Sequence, residues 1–307
     1  MSEIQDPHVR LAAFEWLRHQ IDIRGDDVLP WKLIAQGFEF KGRRVPLVSQ
    51  QGIFKPAVCD LPISIRTSLK GPYDDSQLDA QGRFRYAYRG TDPAHRDNAG
   101  LRLAMERRVP LIYFFGVVEG RYLTAFPVYV EHDDPGELAF TIAVDDASSA
   151  GENIGDEIDR LSVAEPEAES RRIYVTGTFR RRLHQRSFRE RVLAAYRRQC
   201  ALCRPRHEEL LEAAHIIPDS ERGEPVVSNG LSLCKIHHAA YDRGFIGVRP
   251  DRIVEVRSDL LEEEDGPMLR HGLQGMHGQR IHIPRRAGDQ PDPEALARRY
   301  ARFVAGA

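Results

Sequence analysis

Two pairs of metal-ligand residue types constrain this chain more than any other feature. Cys200-Ala-Leu-Cys203 sets two thiols three positions apart, and Cys234-Lys-Ile-His237 repeats the spacing with a thiol and an imidazole. Thiolate and imidazole suit a tetrahedral Zn²⁺, and two such pairs bracketing a short segment have the layout of a structural zinc site. In a reducing compartment this pattern reads as metal binding before it reads as disulfides. A segment clamped this way can fold around few apolar residues, because metal binding supplies folding free energy directly. The fourth cysteine, Cys59, stands apart and reads as a buried core residue.

A second set of residues is interleaved with the clamp. The chain reads Glu212-Ala-Ala-His-Ile-Ile-Pro218, then Ser228-Asn-Gly-Leu-Ser-Leu-Cys-Lys-Ile-His-His238, and reaches Asp242-Arg-Gly244 one turn later. This arrangement resembles the HNH, or ββα-metal, endonuclease family, over roughly residues 185–250. The resemblance implies a role for each matching position. His215, at the end of the first strand, is the general base on the attacking water. Asn229 holds the loop by hydrogen bonds. His238, on the helix, binds a divalent ion, Mg²⁺ or another, at the scissile phosphate. The adjacent His237 points off another side of that helix, so it can complete the zinc clamp.

The chemistry asks for this set. Hydrolysing a phosphodiester needs a deprotonated water, which a histidine near neutrality can provide. It also needs charge stabilised on the phosphate, which a divalent ion supplies. One position departs from the family: Ala214 stands where many members carry an Asp or His as a second metal ligand. Asp242, four residues beyond His238 on one helix face, is the first substitute. Asp219 and Glu212 follow.

The formal net charge of −2 conceals a strong asymmetry. Asp145 to Glu169 is dominated by acids, whereas Arg171 to Arg198 carries ten arginines and one acid, Glu190. A basic block beside the motif can contact phosphates, and Arg180, Arg181, Arg182 and Arg186 are the DNA-binding candidates.

The expected fold is α+β. A β-rich N-terminal domain over 1–145, of PUA- or SRA-like kind, is joined by an acidic linker over 146–170 to a C-terminal ββα-metal HNH domain over 171–307. In the first domain, helical spacing over residues 8–20 precedes strand candidates at 45–48, 62–65, 84–88, 111–115 and 122–126, with a hairpin at Glu119-Gly120 and a helix near 100–108. In the second, a helix is expected over 188–198, capped by Ser187 and Glu190, and another over 293–303.

A reader of modified bases is the expected role of the N-terminal domain, by analogy with restriction enzymes that place an HNH module behind a reader. Gln50 to Pro56 and Tyr86 to Asp92 combine aromatic, polar and glycine residues of the kind that hold a flipped base. His95 to Asn98 form a polar loop that can touch DNA. The expected partner is double-stranded DNA carrying modified bases, with a homodimer as one route to cutting both strands. The alternative is a zinc-stabilised DNA-binding or regulatory protein with a degenerate HNH site. No apolar run is long enough to span a membrane and no secretory leader is visible, so the cytoplasm is the expected compartment.

Overall fold

The computed structural model describes residues 6–67, 83–145, 165–264 and 266–306. Chain contacts divide into two units, Met1–Leu183 and His184–Ala307.

The first unit opens with α1, Asp6–Arg24, which buries Val9, Ala13, Phe14 and Leu17 at helical spacing. Then come β1, Val28–Pro30, and α2, Trp31–Gln36. A short pair follows, β2, Phe38–Phe40, with β3, Arg43–Val45. Next are β4, Ile53–Phe54; β5, Ser64–Thr67; and β6, Phe84–Ala87. The unit continues with α3, Arg96–Glu106; β7, Leu111–Val118; β8, Arg121–Asp134; and β9, Ala139–Val144.

Seven of these strands form one sheet in the order β4-β5-β7-β8-β9-β6, with β1 added beside β8. All pairings are antiparallel except β5 with β7. Register shifts at Leu111/Tyr113, Gly116/Val118 and Val130/His132 interrupt the ladders of the long central strand. Such irregularities bend a strand and raise its local twist. Apolar side chains on the two faces of the sheet feed separate clusters, one around Tyr113, Phe84 and Phe140 and one around Phe14, Phe114 and Leu29. The expected mixture of helices and strands is therefore observed, and the hairpin at Glu119-Gly120 joins β7 to β8.

One expectation needs correction. No helix starts at residue 188. Instead α4 runs unbroken over Glu165–Ala195, so residues 165–170 of the expected linker are helical, while 146–164 lie outside the described residues. Ser187 and Glu190 are therefore not a cap. Glu190 is fully buried in mid-helix, paired with Arg189 at 2.7 Å and Arg198 at 3.1 Å. The stretch before Ser187 is rich in arginine, which favours helix, and Gly177 alone does not break it. Phe179 and Leu183 of α4 join the core of the first unit, and Phe188, Val192 and Leu193 that of the second.

The second unit continues with β10, Leu211–His215; β11, Gly230–Cys234; and α5, Lys235–Asp242. β10 and β11 pair antiparallel with His215 opposite Gly230, and α5 starts directly from β11, which is a ββα arrangement. Then follow β12, Ile246–Val248, paired with β13, Val254–Val256; α6, Ser258–Glu262; and α7, Pro293–Ala305. No helix among the described residues is long and apolar enough to cross a membrane.

Candidate active site

Folding brings Cys200, Cys203, Cys234 and His237 into one cluster whose ligand atoms all lie within 4.8 Å of one another. Cys200 and Cys203 sit in the turn after α4, Cys234 ends β11, and His237 lies in the first turn of α5. The Cys203 and Cys234 sulfurs are 3.8 Å apart, and His237 Nδ1 stands 3.2 to 3.5 Å from the three sulfurs. A tetrahedral ion with metal–sulfur bonds of about 2.3 Å has sulfur–sulfur edges of about 3.8 Å, so the donors fit. No disulfide competes, since all four cysteines are free. His237 Nε2 lies 2.6 Å from the Gly272 carbonyl oxygen, to which its N–H donates, leaving Nδ1 bare towards the sulfurs.

The second set converges on the other side of α5. His215, half-buried at the end of β10, is stacked on Phe188 with ring centroids 4.0 Å apart and planes 11° apart. Its Nε2 is buried with no hydrogen-bond partner among the described residues, although an Asp219 oxygen is 3.4 Å away. Burial pushes this imidazole below its ordinary pKa, opposed by the charges of Asp219 and Asp242. His238 is held between two carboxylates: Nδ1 lies 2.6 Å from Glu212 and Nε2 lies 3.2 Å from Asp242 Oδ2. The pairing with Asp242 raises the pKa of His238, burial opposes it, and Glu212 adds to the rise.

All three acids considered for the gap at Ala214 are therefore at hand. Ala214 is fully buried, and Glu212, two residues earlier, extends from the same face of β10 to reach His238. The 3.2 Å between Asp242 Oδ2 and His238 Nε2 is close to the roughly 3 Å that separates neighbouring ligands around a six-coordinate ion with bonds of about 2.1 Å. An imidazole with hard carboxylate oxygens suits Mg²⁺ or Mn²⁺ better than thiolates would. Were His238 to ligate an ion through Nε2, Glu212 on Nδ1 would orient it.

Asn229 ties the connection between β10 and β11 together. The Ile217 N–H donates to Asn229 Oδ1 at 2.9 Å, and Asn229 Nδ2 donates to the carbonyls of Ile217 at 3.0 Å and Glu224 at 2.9 Å. This clamp needs a glycine at 223. A Cβ there would land on the Ile217 carbonyl and within 2.9 Å of Asn229 Nδ2. Backbone cannot yield as a flexible side-chain tip does, so Gly223→Ala should cost about 1–3 kcal/mol and displace the loop carrying Asp219. Thermal melts beside cleavage assays check this, and a variant that melts and cuts like the parent would contradict it.

The basic residues fare unevenly. Arg181 is exposed. Arg182 lies 3.3 Å from Asp27 and over the Phe179 ring, Arg186 is half-buried, and the Arg180 side chain lies outside those described. In the first unit several singled-out residues serve the fold. Tyr86 and Tyr88 are buried, the first bonding the Arg66 carbonyl and the second Asp133. Asn98 is fully buried and bonds the backbone of Arg89 and Asp92. His95 caps α3 by accepting from the Asp97 N–H.

Sequence reasoning missed Phe188 against His215 and Arg299 against Asp242. The apolar stripe of α4 contains Phe188 but gives no hint that it faces the histidine. Arg299 lies 57 positions beyond Asp242, far outside any local pattern.

Residues 200–249 match a family model described as HNH endonuclease. No curated protein matches the chain. Solved structures that are weakly similar include two restriction endonucleases. One, titled "Modification dependent TagI restriction endonuclease", is 14% identical, with 79% of this chain and 81% of that one covered and a TM-score of 0.31. The other, titled "Structure of the Type IV phosphorothioation-dependent restriction endonuclease ScoMcrA", is 17% identical, with 62% of this chain covered and a TM-score of 0.22. The match covers 51% of that second chain, and both TM-scores are too low to define a shared fold.

Proposed function

We propose that the protein is a metal-dependent DNA endonuclease of the restriction type, selective for modified bases. The observation that carries the nuclease reading is the convergence of His215, His238, Glu212, Asp219 and Asp242 beside the Cys₃His cluster, within a segment that matches HNH endonucleases.

In this reading Cys200, Cys203, Cys234 and His237 hold a structural Zn²⁺. His238 and Asp242 hold the catalytic cation, Mg²⁺ or another divalent ion, which when bound stabilises negative charge at the phosphate and the leaving oxygen. His215 takes the proton of the attacking water. Burial lowers the pKa of its imidazole and so favours the neutral state a base requires, and its buried Nε2, 3.4 Å from an Asp219 oxygen, makes no hydrogen bond to a described residue. Phe188 holds the ring plane by stacking. Asn229 fixes the loop bearing Asp219, and Glu212 fixes the tautomer and direction of His238. Arg181 and Arg186, with Arg180 and Arg182 beside them, contribute contacts to the DNA backbone.

The modified-base reading and the PUA/SRA-like reading of the N-terminal unit are supported by layout: a separate β-rich unit with two cores of its own precedes the nuclease segment. A nuclease segment this short needs a partner surface to choose its target. A homodimer supplies the second active site for a double-strand break.

The test is cleavage of one plasmid prepared unmodified, cytosine-methylated and hydroxymethylated, with Mg²⁺, Mn²⁺ or Ni²⁺. Cutting that needs a divalent ion and prefers one modified form is the expected result. Equal cutting of all three forms would sink the modified-base reading. No cutting under any condition favours a zinc-stabilised DNA-binding protein with a degenerate site.

A further inference from the structure

We propose that the C-terminal helix α7, which lies outside the segment matched to HNH endonucleases, is a working part of the cutting site, with Arg299 positioning the carboxylate of Asp242. This rests on the reading of Asp242 as a ligand of the catalytic cation.

Three contacts tie α7 to three different segments of the site. At its start, the Asp292 N–H donates to the Ser228 carbonyl at 3.0 Å, one residue before Asn229. In its middle, Arg299 Nη2 donates to the Tyr241 carbonyl at 3.2 Å and lies 3.5 Å from Asp242 Oδ1. Towards its end, Arg302 is ion-paired with Glu221, and Arg298 lies 3.4 Å from the same carboxylate. Glu221 belongs to the turn that begins at Asp219, beside His215.

The helix is held in this place by shape. Asp292 caps it, Pro293 starts it, and Leu296 is fully buried in the core of the unit. Phe303 lies against Gly247 of β12 so closely that a Cβ on Gly247 would approach its ring to 2.5 Å. Absence of a side chain at 247 therefore lets α7 settle onto β12.

The division of labour on Asp242 is the core of the inference. Its Oδ2 faces His238 Nε2 at 3.2 Å, whereas its Oδ1 faces Arg299. The Arg299 side chain is only 17% exposed, and its guanidinium also stacks over the buried Tyr241 ring with 4.9 Å to the centroid. Asp242 itself is 54% exposed, so its carboxylate is held by these two partners rather than by burial. A fixed guanidinium on one oxygen leaves the other turned towards the histidine, the usual arrangement by which an outer partner orients a ligating carboxylate.

The experiment is a titration of the zinc-loaded full chain with Mn²⁺, followed by the electron paramagnetic resonance of the free ion, for wild type, Asp242→Asn, Arg299→Ala and Arg299→Lys. Arg299→Ala should weaken Mn²⁺ binding about 10-fold or more, and raising Mn²⁺ should restore much of its cutting rate. Arg299→Lys should keep most of the affinity, since it retains charge near Oδ1. Zinc content and a cooperative melt show whether each variant is folded. Should Arg299→Ala fail to fold, Arg299→Gln takes its place. If Asp242→Asn weakens Mn²⁺ binding but the Arg299 variants bind as wild type does, the positioning role is overturned and the ligand reading stands. If Asp242→Asn binds Mn²⁺ like wild type, the ligand reading falls and takes the role of Arg299 with it.

Discussion

If the Cys₃His cluster holds a structural zinc, as proposed, stripping the metal should unfold the C-terminal unit and leave the N-terminal unit standing, the largest effect expected of any perturbation of this chain. Structural zinc in small domains contributes on the order of 10–16 kcal/mol, while a whole domain is stable by about 5–15 kcal/mol. Removing the ion would therefore cancel most or all of the stability the unit has. The effect follows from where the ligands sit. Cys234 joins β11 to α5, His237 is in the first turn of α5, and Cys200 and Cys203 follow α4, so an ion held there would tie together the elements around His215 and His238.

The two units can be followed separately because of an accident of composition. Both tryptophans, Trp16 and Trp31, lie in the N-terminal unit. Tryptophan fluorescence should hardly change on chelation, while a thiol reagent should find three new reactive groups, Cys200, Cys203 and Cys234. Cys59 should stay silent until the first unit unfolds, because it is 2% exposed and burial pushes its thiol up to about 12. Cys234→Ser should reproduce the unfolding without chelator. If the chelated protein keeps its C-terminal unit folded and its three thiols protected, the clamp is not a structural zinc site.

Legibility of the sequence varied with the range of the interaction. The Cys₃His cluster could be read because its spacing is local, with each pair inside one turn and the pairs on adjoining elements. The ββα order could be read for the same reason. The length of α4 could not, because the apolar face that signals a helix changes hands midway: Phe179 and Leu183 serve one core and Phe188 and Val192 another. A single amphipathic stripe was therefore visible only in its last part. Ser187 and Glu190 match a cap by spacing, yet Glu190 is neutralised in the interior by Arg189 and Arg198, which only tertiary packing reveals. In the N-terminal unit, Tyr86 and Tyr88, singled out for a base pocket, are buried and bond the Arg66 carbonyl and Asp133. A tyrosine that bonds a distant backbone group looks, in sequence, like one that awaits a ligand.

His215→Ala should lower the cutting rate by about 10²–10⁴-fold with almost no change in fold, and that contrast is what makes it decisive. The side chain is half-buried, but its Nε2 bonds no described residue, so truncation leaves no donor or acceptor stranded in the interior. What is lost is the stack on Phe188, and an aromatic pair of this kind contributes about 0.5–1.5 kcal/mol. The variant should therefore keep its zinc, its melt within a few degrees and its affinity for DNA, while kcat falls and KM stays put. Asn229→Ala makes the opposite control. It removes both ends of a clamp, leaving the Ile217 N–H and the Ile217 and Glu224 carbonyls without their partner. Unmade buried hydrogen bonds cost about 1–3 kcal/mol each, so this variant should lose stability along with activity. A histidine that served only to fill the space beside Phe188 would give the second pattern rather than the first. Cleavage by folded, zinc-loaded His215→Ala at the parental rate would remove this residue from the chemistry altogether, and the search for the base would move to Asp219, the next group on the same loop.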